Sequence, residues 1–287
     1  MKLPSWFKQE IPEPEALNFA EALSDLDLHT VCQEAKCPNL GYCFKRRKVT
    51  FMILGDTCTR NCSFCAVGKP DNKKRLTLDL DEPLRIAEAV KRLGLNYVVI
   101  TSVTRDDLED QGAGFFAKGI ELIHAINQQI KVEVLIPDFQ GRIACLKAVL
   151  DSGPDLVAHN LETVRRLCRE LRPQADYRLS LDILNRIKEL KPALPTKSSL
   201  MLGLGETERE VVTAMEDLRE SLCDILTLGQ YLAPSPSHYP IKEFIDIEQF
   251  QKYEQIGLAL GFRMVLSGPL VRSSYQAEET FRESLYA

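Results

Sequence analysis

Short apolar runs alternate with helical patterns along most of this chain, and that alternation limits the fold more than any other feature. The runs fall at residues 49–54, 95–100, 130–136, 155–158, 196–204 and 224–228, and the helical patterns between them at 83–93, 113–127, 142–150, 181–190 and 206–221. A seventh run, 262–266, follows a helical pattern at 247–260. Strands separated by helices pair in parallel, through right-handed crossovers that leave the helices outside a buried sheet. The expectation is an α/β protein, a partial (β/α) barrel of (β/α)6 type. A doubly wound open sheet is the alternative, with no G-x-G-x-x-G turn to favour it. At 287 residues the chain can bury roughly 75% of its unfolded surface, so neither disulfides nor metals are needed merely to hold it together.

Three segments follow from this reading: an amino-terminal extension over 1–48, the barrel over 49–267 and a carboxyl-terminal extension over 268–287. In the first, Leu17, Ala20, Leu23 and Leu26 stand at helical spacing behind Pro14. Acidic residues exceed basic ones by 41 to 36, a balance that does not favour nucleic acid as a partner. Residues 1–9 lack the apolar core of a secretory signal, and no run approaches a membrane span. The expected location is therefore cytoplasmic, where thiols stay reduced. Nine cysteines, an odd number, are then poorly explained by disulfides. Cys145, Cys168 and Cys223 stand alone and read as buried small apolar side chains.

The other six cysteines form two strings of three. Cys58, Cys62 and Cys65 lie in a loop directly after the first apolar run, and Cys32, Cys37 and Cys43 lie upstream with Pro38 and Gly41, in a segment that reads as loop-rich. Three thiolates hold three corners of a [4Fe-4S] cube and leave the fourth iron open to a substrate. Zinc, the rival, wants four closed ligands and close cysteine pairs, of which only Cys62 and Cys65 make one, although His29 or His159 could complete a set. Iron–sulfur is the preferred reading.

In a barrel, chemistry gathers at the carboxyl ends of the strands. Those ends carry Thr101, Ser102, Arg105 and Asp106 after the second run, His159, Asn160 and Glu162 after the fourth, Lys197 and Ser198 in the fifth, and Gln230 and Tyr231 after the sixth. Glu133 is a charge within an apolar run and needs a partner or a wet interior. Each also has a plainer role. Thr101, Ser102 and Asp106 suit helix caps, His159 suits a hydrogen-bonded structural position, and Arg178 and Lys197 suit the surface.

The string CTRNCSFC matches the C-x3-C-x2-C signature of the radical S-adenosylmethionine (SAM) superfamily. Together with VCQEAKCPNLGYC, FMILGDTCTR, ITSVTRDD, VAHNLETV, TKSSLMLGLGET, GQYLAPSPSHYP and SGPLVRSSY, it makes residues 31–277 resemble the lipoyl synthase family. The resemblance implies that Cys58, Cys62 and Cys65 bind the cluster that cleaves SAM to a 5'-deoxyadenosyl radical. It also implies that Cys32, Cys37 and Cys43 bind an auxiliary [4Fe-4S] cluster, with Ser274 of the RSSY string as an oxygen ligand. That cluster would be dismantled to supply two sulfur atoms to carbons 6 and 8 of a protein-bound octanoyl-lysine chain. Thr101, Ser102, Arg105, Glu133, Asn160, Glu162, Arg178 and Lys197 are the expected SAM contacts. The implied partners are octanoylated lipoyl carrier domains, of a 2-oxoacid dehydrogenase or of glycine cleavage, and an electron donor such as ferredoxin or flavodoxin; no nucleic acid and no membrane is expected. From sequence alone Ser273 and Ser274 are ordinary turn residues. The basic run Lys45, Arg46, Arg47 and Lys48, beside the presumed site in an acidic protein, is expected to help dock an acidic carrier.

Overall fold

The structure is a computed structural model that describes residues 3–7, 13–70 and 76–286, so Met1, Lys2, Lys8 and Gln9 of the opening stretch lie outside the described residues. Its contacts divide the chain into two compact units. One comprises Gln9–Asn61 and Ala66–Asp155; the other comprises Met1–Lys8, Cys62–Cys65 and Leu156–Ala287.

The amino-terminal unit is built on three parallel strands in sequence order, β1 (Thr50–Ile53), β2 (Tyr97–Ser102) and β3 (Lys131–Leu135). Phe51 pairs with Ile100 across the first ladder, and Val99 pairs with Glu133 across the second. Helices Glu82–Leu93 and Ala113–Ile126 make the crossovers. The first has Pro83 in its opening turn, where the missing N–H costs nothing, and buries Ile86, Val90 and Leu93 on one face. It stops at Gly94, whose φ of 63° a residue with a Cβ adopts only at a cost.

Upstream, helix Pro14–Ser24 buries Ala16, Phe19 and Leu23, with Phe19 edge-on to Phe44 at 5.3 Å between ring centres. The expected stripe through Leu17 is therefore off by one position, and Leu17 is 59% exposed. Two stripes share Leu23, and the one that removes an aromatic ring from water wins. The segment around Cys32, Cys37 and Cys43 also differs from expectation. It forms two short helices, Val31–Glu34 and Leu40–Lys45, the first capped by Thr30 Oγ1, which accepts the Gln33 N–H at 3.2 Å. Pro38 falls between them, where a helix would be broken anyway, and Gly41 is absorbed into the second.

The carboxyl-terminal unit carries β4 (Leu156–Ala158), β5 (Thr196–Leu202), β6 (Ile225–Gln230) and β7 (Met264–Gly268), again parallel and in sequence order. β7 is the seventh candidate run, so the described residues hold seven strands where six units were expected. Helices Arg165–Leu171 and Tyr177–Leu190 join β4 to β5, Glu208–Glu220 joins β5 to β6, and Ile247–Ala259 joins β6 to β7. Glu208–Glu220 starts with a capping box between Thr207 and Glu210. Its Val211, Ala214, Met215 and Leu218 meet Leu200, Leu226, Leu228 and Val265 in the core of this unit. Cys145, Cys168 and Cys223 are buried as expected, and none of the nine cysteines is in a disulfide. No helix among the described residues is long and apolar enough to cross a membrane.

Candidate functional site

The chain leaves β1 through two consecutive left-handed residues, Leu54 (φ 71°) and Gly55 (φ 81°). A leucine there is strained, and the buried Glu82 carboxylate holds the bend by accepting the Leu54 and Gly55 N–H groups at 2.5 and 3.2 Å. Burial raises the Glu82 carboxyl above the usual range, against those two hydrogen bonds. Thr57 then bridges to Gly68, and the Cys58 N–H donates to the Gly68 carbonyl at 2.9 Å. Only glycine fits at 68, since a Cβ would lie 2.8 Å from the Asp56 carbonyl oxygen.

Cys58 Sγ accepts two backbone N–H groups, from Arg60 and from Thr104, each at 3.4 Å. Thr59 donates both its N–H and its hydroxyl to the Thr104 carbonyl at 2.9 Å, and its Oγ1 accepts the Asp106 N–H at 3.1 Å. Arg60 is 5% exposed and paired twice over, with Asp106 at 2.9 and 3.0 Å and with Asp138 at 2.6 Å through both nitrogens. Burial works against its charge, yet the two carboxylates hold its pKa above the ordinary arginine value. Neither Arg60 nor Asp138 was among the residues expected from sequence.

In the same unit, Thr101 Oγ1 donates to the Leu135 carbonyl at 3.0 Å. Ser102 Oγ is a buried atom with no hydrogen-bond partner among the described residues. Arg105 is buried, grips Asp107 through two nitrogens at 2.7 Å, and lines a polar cleft of about 430 Å³ with His29, Asp56, Lys69 and Glu82. Glu133 is buried as feared for a charge in a strand, and the Tyr97 hydroxyl donates to it at 2.7 Å.

Cys32 is buried on its short helix, and that burial pushes its thiol up to about 12. Cys37 and Cys43 are half-buried and follow closely, with the Cys37 N–H on the Cys32 carbonyl and the Lys48 N–H on the Cys43 carbonyl. Of the basic run, Lys45 pairs with Glu13, and Arg46 stacks on Tyr42 with its guanidinium 3.7 Å from the ring centre. Arg47 is exposed.

In the carboxyl-terminal unit Ser63 is threaded between neighbours. Its N–H donates to the Leu171 carbonyl at 2.9 Å, and its own carbonyl accepts the Tyr239 N–H at 3.0 Å. Phe64 packs on the apolar core, so the Ser63–Phe64 pair between Cys62 and Cys65 is held at both residues. Burial, with the nearby Cys65, pushes the Tyr231 phenol up to about 12, and its hydroxyl donates to the Tyr239 carbonyl at 2.8 Å. The RSSY string closes a turn, with the Tyr275 N–H on the Arg272 carbonyl. Ser273 Oγ donates to Asn160 Oδ1 at 2.9 Å, and Asn160 Nδ2 donates to Glu162 Oε1 at 3.0 Å. Arg172, which sequence reading missed, reaches the Leu161 carbonyl at 3.0 Å and acts on Glu162 by charge. Arg178 is exposed in the first turn of its helix, whereas Lys197 is buried in β5. His159 is buried, with its N–H on the Lys197 carbonyl at 3.0 Å.

Six cysteines in two groups of three, none in a disulfide, suit iron–sulfur clusters by their chemistry, and the N–H groups aimed at Cys58 Sγ are contacts that favour a thiolate ligand. Among the described residues, no three His, Cys, Asp or Glu side chains converge on a single-ion site.

The Radical SAM superfamily model matches residues 52–218. A lipoyl synthase of Caldanaerobacter subterraneus subsp. tengcongensis is 52% identical over 97% of this chain and 96% of its own length. One of Syntrophotalea carbinolica is 52% identical over 99% of this chain and 91% of its own length. Among solved structures, HydG, described as a maturase of the [FeFe]-hydrogenase, covers 94% of this chain and 66% of its own at a TM-score of 0.60. Its 17% identity makes that likeness one of fold, and with the parallel βα order it supports the partial (β/α) barrel class. On identity of this level over nearly the whole length, with the superfamily model across the middle of the chain, this protein belongs to the lipoyl synthase family of radical SAM enzymes.

Proposed function

We propose that Cys58, Cys62 and Cys65 hold the SAM-cleaving [4Fe-4S] cluster of this lipoyl synthase, and that Cys32, Cys37, Cys43 and Ser274 hold the auxiliary one. The observation that carries this reading is the pair of separate thiol triples, one of them already supplied with backbone donors at Cys58. When bound, the first cluster with SAM supplies a 5'-deoxyadenosyl radical and the second supplies the two sulfur atoms inserted at carbons 6 and 8 of protein-bound octanoyl-lysine. The chain's own task is to orient and shield. Glu82 fixes the exit of β1, Asn160 holds Ser273 and with it the adjacent Ser274, and Ser102 and Arg105 offer polar atoms to SAM. Thr101, Asn160, Glu162 and Lys197 complete the proposed SAM contacts. Glu133, which accepts the Tyr97 hydroxyl, and Arg178, exposed in the first turn of its helix, belong to the same proposed set. The substrate is an octanoylated lipoyl carrier domain of a 2-oxoacid dehydrogenase or of glycine cleavage, the electron donor is a ferredoxin or flavodoxin, and the setting is the cytoplasm.

Single serine substitutions separate the two roles. In anaerobic assays with SAM, reductant and an octanoylated lysine peptide, Cys58→Ser is expected to abolish 5'-deoxyadenosine formation. Cys37→Ser should still form it while adding no sulfur to the peptide by mass spectrometry. Equal loss of both products in the two variants would sink the assignment, as would a colourless parent protein that binds zinc and leaves SAM intact.

A further inference from the structure

We propose that Arg60, Asp106, Asp138 and Thr59 form a positioning clamp that aims two backbone N–H groups at Cys58 Sγ and thereby sets the reduction potential of the cluster Cys58 helps to hold. The inference rests on the assignment of Cys58 to that cluster. Residues 58–61 belong to no helix or strand, so nothing regular fixes where their N–H groups point. Side chains do it instead. The Arg60 guanidinium uses four hydrogen bonds of 2.6 to 3.0 Å to lock itself between two carboxylates, and the backbone N–H of Arg60 is one of the two on Cys58. The other comes from Thr104, whose carbonyl takes both donors of Thr59 while Asp106, two residues on, returns its N–H to Thr59 Oγ1. Residues 58–60 and 104–106 are thus joined so that neither N–H can turn away from the sulfur without breaking several bonds.

A device of this kind is an unusual way to stiffen a loop. Asp138 is 1% exposed and Arg60 5%, and burying such ions is costly enough that apolar packing usually stabilises as well or better. What apolar packing lacks is direction. Hydrogen bonds to cluster sulfurs favour the more negative, reduced state and so raise the potential. A loosened clamp makes the cluster harder to reduce.

The test uses the full chain, reconstituted anaerobically with both clusters. Arg60→Lys keeps the charge but loses the planar fork that spans two carboxylates. Thr59→Val keeps the shape and every buried charge while removing only the hydroxyl, and it serves if Arg60→Lys fails to fold. Because neither changes net charge, a change in potential reports geometry. Iron and sulfide analysis establishes loading, and potentiometric titration followed by electron paramagnetic resonance reads each cluster. In both variants the SAM-cleaving cluster is expected to shift to a more negative potential, leaving about tenfold less of it reduced at a fixed reductant potential, equivalent to about 59 mV for one electron. The auxiliary cluster should not move. An unmoved SAM-cleaving cluster in fully loaded variants, or equal shifts of both clusters, overturns the clamp. A parent protein that loads no cluster through Cys58, Cys62 and Cys65 overturns the underlying assignment, and the clamp with it.

Discussion

Arg60, Asp138 and Arg172 show what residue-level reading leaves out. An arginine between two cysteines, an aspartate after a strand and an arginine at a helix end are each ordinary in sequence. Their burial is decided by partners far along the chain, 46 and 78 positions away for Arg60. The cysteine strings, by contrast, were legible because their chemistry is local in sequence, and the polar strand ends were legible because strands expose their carboxyl ends in this fold. Glu162 gives a titration experiment at the same scale. Desolvation raises its carboxyl above the ordinary value of 4.5, with Arg172 and Asn160 pulling the other way. Its folded value exceeds its unfolded one, so the folded state keeps the proton over the interval just above pH 4.5, and stability falls as pH rises through that interval. Glu162→Gln cannot ionise there. Urea unfolding of the variant, measured in steps upward from pH 4.5, is expected to show a shallower loss of stability than the parent; parallel curves would count against the shift.

Elements were mostly predictable because their periodicity and stop signals agree. Each of the seven strands and each crossover helix expected from patterning is present within a few residues. Helix Pro14–Ser24 was placed correctly but rotated by one position, since a choice between Leu17 and Phe19 depends on what waits in the core, here Phe44. Thr207 offers a clean test of local design. Thr207→Ala removes half of the capping box of helix Glu208–Glu220 and should lower stability by about 1 kcal/mol in denaturant unfolding. Gly229 on β6 is a sharper case, because an added Cβ would sit 2.0 Å from the Val271 carbonyl oxygen, just ahead of the RSSY string. Gly229→Ala must push that string outward, at about 1–3 kcal/mol. The expected signature is faster iron loss from the auxiliary cluster to a chelator, with iron at Cys58, Cys62 and Cys65 retained; loss at equal rates would show general loosening instead.

At the scale of the molecule, βα order was legible because each crossover is a local event, whereas the division into two compact units was not, because it depends on contacts far apart in sequence. Surface charge is intermediate. The run 45–48 looked like four free cations, but Lys45 is engaged by Glu13, Arg46 lies over Tyr42 and Lys48 is half-buried, so Arg47 and the outer face of Arg46 are the charges the run offers to the proposed carrier. Replacing both with serine is expected to raise the Michaelis constant for an octanoylated carrier domain several-fold, and more at low salt, while leaving that for a short octanoylated peptide unchanged. Equal effects on both substrates would remove the docking role.

The helix Val31–Glu34 bears on how often the enzyme can work. Cys32 is enclosed on it, so on the proposed assignment of Cys32 to the auxiliary cluster, iron reaches that position only when the helix opens. A helix this short has little stability of its own, but its cap Thr30 bridges Phe51 and the Met52 N–H donates to the His29 carbonyl, so it opens together with the outer edge of β1. On that assignment, rebuilding the cluster would need only this local opening, which the Thr30 cap helps to hold shut. Amide exchange at residues 31–34 should accelerate in Thr30→Val while β2 and β3 keep their protection, and the rate of a second turnover in the presence of a cluster donor should rise with it.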